Sequence, residues 1–258
     1  MARQLEGSVA VVTGAARGIG RAIAARFAAE GARMIIDDVD DTAGQDAVAT
    51  ILAAGGQAHY VHADISQPDQ VAALLRTTEE QYGPPDILVN NALPATRHVL
   101  ANDWDPLMDV CLKGPWLLMK GVLPGMSARR RGSIINISSV NALAGFGDEH
   151  VYSAAKAGLI GMSRSLAVRH GRDGVRINVI CPGTIATEAW GPMLERDPGL
   201  HDRLVGLYPA GRLGRPDDIA GAALYLAGPD AGFTTGSVLV VDGGVTAGYL
   251  AFSVWNEA

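Results

Sequence analysis

Short runs of β-branched and aliphatic residues alternate with alanine- and leucine-rich stretches of helical period along the chain. Residues 9–13, 33–37, 58–63, 87–90, 133–137, 176–180 and 237–241 read as strands, apolar at successive positions rather than at every second one. Residues 18–30, 42–54, 68–82, 100–109, 112–128, 151–170 and 216–227 read as helices. Gly31 closes the first of these and Gly55-Gly56 stops the second. A strand that is apolar on both faces must be covered on both, which calls for a parallel sheet with helices on each side. Right-handed crossovers then give a doubly wound α/β sheet, expected here as one domain over residues 1–258. Such sheets take ligands at the carboxyl ends of their strands, where the strand order reverses.

The polar residues that interrupt the pattern fall at those ends. Thr13-Gly14-Ala15-Ala16-Arg17-Gly18-Ile19-Gly20 leaves the first strand and opens a helix. Glycines there let the backbone approach a pyrophosphate, and the helix N-terminus offers unpaired N–H groups and a positive dipole end. This is the Rossmann signature, and its position after a first strand gives it weight. The second strand ends in Asp37-Asp38, and Asp38 lies 18 residues beyond Gly20. An acid at that place accepts ribose hydroxyls and repels a 2′-phosphate, which argues for NAD over NADP. Arg17, inside the turn, is the residue that could instead meet a 2′-phosphate.

Tyr152 and Lys156 stand four residues apart on a predicted helix and so share a face. Three of the 21 basic residues are lysines (Lys113, Lys120 and Lys156), and there are six tyrosines in 258 residues. A Tyr-Lys pair at this spacing is therefore expected about 0.07 times by chance. One cation about 4 Å from a phenol oxygen, at an effective dielectric near 20, favours the phenolate by roughly 4 kcal/mol. Such a phenol can both give and take a proton near neutral pH.

Taken together, these residues resemble the short-chain dehydrogenase/reductase family over essentially the whole length. The likeness lies in the glycine turn, Asp64 after the third strand, Asn90-Asn91-Ala92, Ser139 thirteen residues before Tyr152, Lys156, Pro182-Gly183 followed by Thr187, and Val241-Asp242-Gly243-Gly244. The resemblance implies that Asp64 and Ile65 hold the adenine and that Asn91 lies along the cofactor. It implies that Tyr152 and Lys156 contact the nicotinamide ribose, and that Ile185 and Thr187 cover the nicotinamide amide and the phosphates. It further implies that Ser139 hydrogen-bonds the substrate oxygen and that Tyr152 is the general acid–base for hydride transfer between NAD(H) and an alcohol or ketone. Two positions depart from the family pattern. Leu93 stands where glycine is usual, and Pro94 biases it toward extended backbone. Cys111 stands where the family's proton relay has asparagine; catalysis survives if the main-chain carbonyl there holds the relay water.

Composition narrows the rest. A formal net charge of −6 disfavours nucleic acid as the main partner. The short Arg129-Arg130-Arg131 cluster reads as a solvated loop. No signal-peptide or membrane-spanning apolar run is present in the sequence, and the two cysteines and six histidines show no metal-ligand spacing. A cytoplasmic protein with no metal site, acting on a small molecule, is expected. Residues 184–211, carrying Trp190, Met193, Leu194 and Tyr208, form the expected substrate lid. Asn141, Glu149 and His98 lean toward a polyol, sugar or hydroxy-acid substrate, and the aromatic and methionine residues toward a cyclic alcohol. Glu149 reads equally as a capping or dipole partner at a helix start. The apolar tail 245–258, with Tyr249, Leu250, Phe252 and Trp255, is expected at a subunit interface of a homotetramer built on the helices around Leu112 and Val151. The alternative function is a catalytically weak nucleotide-binding regulator of the same fold, suggested by Leu93 and Cys111.

Overall fold

The computed structural model describes residues 3–94, 102–145 and 147–248. Seven strands, β1 (Val9–Thr13), β2 (Arg33–Asp38), β3 (Gln57–His62), β4 (Ile87–Asn90), β5 (Gly132–Ile137), β6 (Val175–Pro182) and β7 (Val238–Val241), form one sheet. Its order is β3-β2-β1-β4-β5-β6-β7, and every pairing is parallel. The chain steps outward from β1 to β3, then crosses back to lay β4 on the other side of β1. The strand order thus reverses between β1 and β4, as the doubly wound reading requires.

Helices α1 (Gly18–Ala29), α2 (Asp41–Ala53), α3 (Pro68–Tyr82), α4 (Trp104–Met108), α5 (Gly114–Arg129), α6 (His150–His170), α7 (Gly191–Arg196), α8 (Leu200–Val205) and α9 (Pro216–Ala227) complete the chain. Strand side chains alternate between two cores. Ala10, Val12 and Ile36 pack with Ile23 and Phe27 of α1 and with Ile219 and Leu224 of α9. Val11, Ile35, Leu88 and Ile134 pack on the opposite face with Leu74 of α3, Leu118 of α5 and Leu159 of α6. Each fully buried side chain of this size contributes about 1.5–3 kcal/mol relative to exposure. The unbroken apolar strand runs are therefore explained by cover on both faces.

The region of the two helices expected at 100–109 and 112–128 differs from that expectation. α4 runs into α5 through a turn of π-helix, Asp109–Lys113, in which the Gly114 N–H reaches back to the Asp109 carbonyl. Pro115 has no N–H to offer the Cys111 carbonyl four residues earlier, so a regular α turn cannot be completed there. The part of the expected helix before residue 102, with His98, lies outside the described residues. The segment 184–211 contains the short helices α7 and α8 and a single parallel bridge from Ile185 to Gly214. Among the described residues no helix is long and apolar enough to cross a membrane.

Candidate active site

The end of β1 is built to hold a close-packed turn. Gly14 (φ +61°) and Gly18 (φ +55°) occupy left-handed backbone that favours glycine. A Cβ on Gly14 would lie 2.7 Å from the Ala92 Cα, and one on Gly20 would lie 2.2 Å from the Gly14 carbonyl oxygen. Thr13 Oγ1 accepts from the N–H groups of Asn91 (3.0 Å) and Ala92 (3.1 Å). The Asn91 amide donates to the carbonyls of Thr13 (2.9 Å) and Gly14 (3.0 Å). Asn91 thus locks the end of β4 to the glycine turn across the point of strand reversal. The Asn91 side chain is thereby spent on the protein backbone.

Carboxylates gather after β2 and β3, on the side of this turn. Asp38 accepts from the Ala16 N–H (3.0 Å) with one oxygen and from the Asp40 N–H (3.1 Å) with the other. Arg17 and Ile19 lie in the turn, and the Arg17 guanidinium is paired with Asp40. Asp64 accepts from the Ser66 N–H (2.9 Å), while its own N–H donates to Gln70 (2.7 Å). Ile65 next to it is buried against Gly114. Asp37 is 1% exposed, and its Oδ1 has no hydrogen-bond partner among the described residues. Burial, with Asp38 and Asp64 nearby, pushes its carboxyl well above the ordinary 3.8. The sequence reading had treated Asp37 merely as part of an acidic strand end. The structure carries β2 one residue past the expected 33–37, to Asp38, and so places Asp37 within the buried part of the strand.

Across the sheet, β5 delivers the catalytic candidates. Ser139 caps the 3₁₀ turn Val140–Ala142, its hydroxyl accepting from the Asn141 N–H (3.1 Å). Tyr152 and Lys156 lie in the first two turns of α6, both buried. The Lys156 ammonium is 5.7 Å from the centre of the Tyr152 ring and donates to the Ile137 carbonyl (2.8 Å). Ser138 fixes the helix from beneath by donating to the Lys156 carbonyl (2.9 Å). No carboxylate pairs with Lys156 among the described residues, so its charge is left to act locally. Tyr152 packs in a cluster with Leu107, Ala155 and the fully buried Cys111. Burial also pushes the Cys181 thiol up, which makes it an unreactive filler beneath Ser138.

Deeper in the same half, Asn90 donates to Asn136 (2.7 Å), and Asn136 donates to Ser163 of α6 (2.8 Å). This buried chain ties β4, β5 and α6 in register. Of its members the sequence singled out Asn90 alone; the pairing of Asn90 with Asn136 exists only once the strands are aligned.

The substrate-side candidates divide. Ser139 donates to the Asn141 Oδ1 (3.3 Å), and the Asn141 amide donates to the Glu149 carboxylate, so three of them form one connected chain. Glu149 precedes α6 and makes no side-chain cap to it, which replaces the capping alternative. Trp190 is half-buried and ends the 3₁₀ turn Glu188–Trp190 before α7. Pro182 ends β6 and Gly183 follows it. A Cβ on Gly183 would lie 3.0 Å from both the Asp242 Cα and the Tyr208 ring, which accounts for glycine there. The Tyr208 hydroxyl accepts from the Thr184 N–H (2.6 Å) and so ties the far end of the expected lid to its start. From Ile185 the chain crosses to the glycine turn, where the Thr187 methyl lies 3.3 Å from the space left by the missing Gly18 Cβ. Leu93 is 42% exposed. Residues 249–258, with the tail aromatics, lie outside the described residues. No group of three or more His, Cys, Asp or Glu suited to a metal occurs among the described residues.

The chain belongs to the short-chain dehydrogenase/reductase family, a family of oxidoreductases: the family model described as enoyl-(acyl carrier protein) reductase matches residues 14–246. It is 40% identical to the (2S)-[(R)-hydroxy(phenyl)methyl]succinyl-CoA dehydrogenase subunit BbsD of Thauera aromatica, over 93% of this chain and 97% of the relative. It is 34% identical to 2-(S)-hydroxypropyl-CoM dehydrogenase 3 of Xanthobacter autotrophicus, over 96% of this chain and all of the relative. The crystal structure of levodione reductase superposes with a TM-score of 0.87 at 33% identity, covering 95% of this chain and 100% of that one. Fold and family together imply a nicotinamide cofactor. The glycine cradle at Gly14 and Gly20, which a Cβ would fill, fits its pyrophosphate.

Proposed function

We propose that the protein is an NAD-dependent dehydrogenase or carbonyl reductase that interconverts a secondary alcohol and its ketone. The observation that carries this reading is Lys156: 2% exposed, held by the Ile137 carbonyl and standing against the Tyr152 ring at the carboxyl end of the sheet. A buried ammonium without a carboxylate is costly unless its charge is used. Here it stands beside the phenol to which the proton transfer is assigned.

In oxidation Tyr152 takes the alcohol proton; in reduction it returns one to the developing alkoxide. Ser139 donates a hydrogen bond to the same substrate oxygen and stabilises its negative charge. A nicotinamide dinucleotide held there would supply the hydride acceptor or donor for the carbinol carbon. Gly14, Arg17, Gly18, Ile19 and Gly20 would hold the pyrophosphate, Asp64 and Ile65 the adenine, and Asn91 the middle of the dinucleotide. Pro182, Gly183, Ile185 and Thr187 would hold the nicotinamide end. Asp38, pinned by the Ala16 N–H, and Arg17, already engaged by Asp40, together favour NAD over NADP. Cys111 serves the proton relay through its main-chain carbonyl, its side chain filling the apolar cluster around Tyr152.

The Ser139–Asn141–Glu149 chain supports a substrate with a further hydroxyl beside the reacting one, in a polyol, sugar or cyclic alcohol, with Trp190 and the lid 184–211 closing over it. The relatives named above bear names of hydroxyl-containing substrates or of a dione. Met108, Leu112, Trp116, Gly158 and Met162 line a shallow apolar groove of about 380 Å³ on the outer face of α4–α6. This supports a homotetramer assembled through those helices; a cytoplasmic location is part of the same proposal. NADH formation over a panel of polyols, sugars and cyclic alcohols tests the reading. Turnover on one or more is expected; NAD binding with no turnover on any would favour the regulator.

A further inference from the structure

We propose that Glu149 is a specificity-determining residue for the substrate. With Asn141 it makes the ground beside Ser139 accept hydrogen-bond donors and refuse anions. The substrate is then an uncharged vicinal diol or its α-hydroxy ketone, and the hydroxy acid of the same skeleton is rejected. This deepens the alcohol–ketone reading above and rests on it. Glu149 stands at the N-cap position of α6, where a negative charge meets the positive end of the helix and a side-chain oxygen can bond its free N–H groups. Its side chain makes no such cap. The carboxylate turns instead to the Asn141 amide, eight residues back in the chain.

The backbone around Glu149 is held for that contact. Asn102 accepts from the His150 N–H (3.1 Å) and donates to the Asp148 carbonyl (2.8 Å). One side chain from the segment before α4 thus clamps the residues on both sides of Glu149. The Glu149 carbonyl accepts from the Ser153 N–H (2.9 Å) in the first turn of α6. Asn141 is fixed from the other end. Its N–H donates to the Ser139 hydroxyl (3.1 Å), and that hydroxyl donates to the Asn141 Oδ1 (3.3 Å). Ser139 is buried, whereas Asn141 and Glu149 are half-buried and keep part of their surface open to solvent.

A carboxylate only accepts hydrogen bonds, so it decides which way the Asn141 amide points: the NH2 group turns to Glu149 and Oδ1 turns to Ser139. When the Ser139 hydroxyl swings to the reacting oxygen, Oδ1 loses its donor. A hydroxyl on the neighbouring substrate carbon donates to Oδ1 and restores the bond that Ser139 gave up. A carboxylate in that place sets lone pairs against an acceptor and a second negative charge against Glu149. A bare hydrogen there leaves Oδ1 unmatched. In oxidation the diol would give its carbinol hydride to NAD and its hydroxyl proton to Tyr152, leaving the α-hydroxy ketone and NADH. Glutamine at position 149 carries no charge and lets the amide turn either way, which removes both the repulsion and the fixed acceptor.

The test is kcat/KM for NAD-dependent oxidation by wild type and Glu149→Gln, with the melting temperature and NAD affinity of each protein. The probes are cyclohexanol and its derivatives carrying a hydroxyl, a carboxamide or a carboxylate on the adjacent carbon, and secondary butanol with the same three substituents. Wild type is expected to prefer the diol to the parent alcohol, and the neutral carboxamide to the carboxylate, each by at least about tenfold. In Glu149→Gln the ratio of carboxylate to diol is expected to rise by at least about tenfold. A purely structural defect would lower both substrates together, so an unchanged ratio overturns the proposal. The carboxamide comparison needs no variant and stands if Glu149→Gln does not fold: wild type that oxidises carboxylate and carboxamide equally well overturns the proposal too. Wild type that forms NADH from none of the uncharged alcohols, nor from the panel above, overturns the alcohol–ketone reading itself, and the subsite with it.

Discussion

The two halves of the sheet bury titratable groups of opposite type. On the β1–β3 side, Asp37 is 1% exposed and lacks a partner on one oxygen; on the β4–β6 side, Lys156 is 2% exposed and leans on one carbonyl. Neither forms an ion pair among the described residues. Had stability been the sole requirement, the two positions would hold apolar residues, as their strand and helix neighbours do. Under the proposed function the difference follows the ligand: the acid half would face the adenosine end of the dinucleotide, and the basic half the oxygen on which negative charge develops. One sheet thus carries two opposed electrostatic environments, divided at the point of strand reversal.

The comparison breaks most severely at the phenol. Tyr152→Phe is expected to lower turnover by about 10²–10⁴-fold, the range for losing a general acid–base. Dinucleotide affinity should stay within threefold, and the melting temperature should hold because the ring still packs with Leu107 and Ala155. Lys156→Met sharpens the contrast, with turnover expected to fall at least about a hundredfold while the melting temperature does not drop. A marked loss of stability instead would show that the ammonium is a structural anchor. Gly20→Ala attacks the boundary between the halves. Its Cβ would stand 2.2 Å from the Gly14 oxygen, so dinucleotide affinity is expected to fall by roughly tenfold or more, read by titration.

Asp37→Asn gives a smaller effect with a definite pH dependence. The folded carboxyl titrates above 3.8, so the folded state holds a proton that the unfolded chain releases once the pH passes that value. Asp37 therefore costs nothing below about pH 3.8, and its cost grows as pH rises toward the folded value. The melting-temperature gain of the asparagine variant should increase from pH 5 to pH 8; a gap independent of pH would contradict the burial argument. The smallest change is expected from Cys111→Asn, with turnover within tenfold of wild type. A gain of a hundredfold or more would show that the relay had lacked a side chain.

How far the sequence reached can be seen residue by residue. The glycine turn, Tyr152 with Lys156, and the parallel sheet were readable because each depends on local spacing or on unbroken apolar runs. The π turn at Asp109–Lys113 was not, since Pro115 alone does not show that α4 and α5 continue through it. Nor was the bond from Asn141 to Glu149, or the chain from Asn90 through Asn136 to Ser163, because those partners meet only after β4, β5 and α6 are packed. Asp37 was in plain view, but its burial depends on neighbours 24 and 27 residues away, at Val61 and Asp64.

The charge asymmetry matters only if the phenol beside Lys156 moves a proton while a hydride moves to or from the dinucleotide. The direct measurement is single-turnover reduction of NAD by the best alcohol from the panel, with wild type and Tyr152→Phe both saturated with cofactor. Rapid NADH formation by wild type, slowed at least a hundredfold in the variant at unchanged NAD affinity, is the predicted result. Equal rates from the two proteins would contradict it.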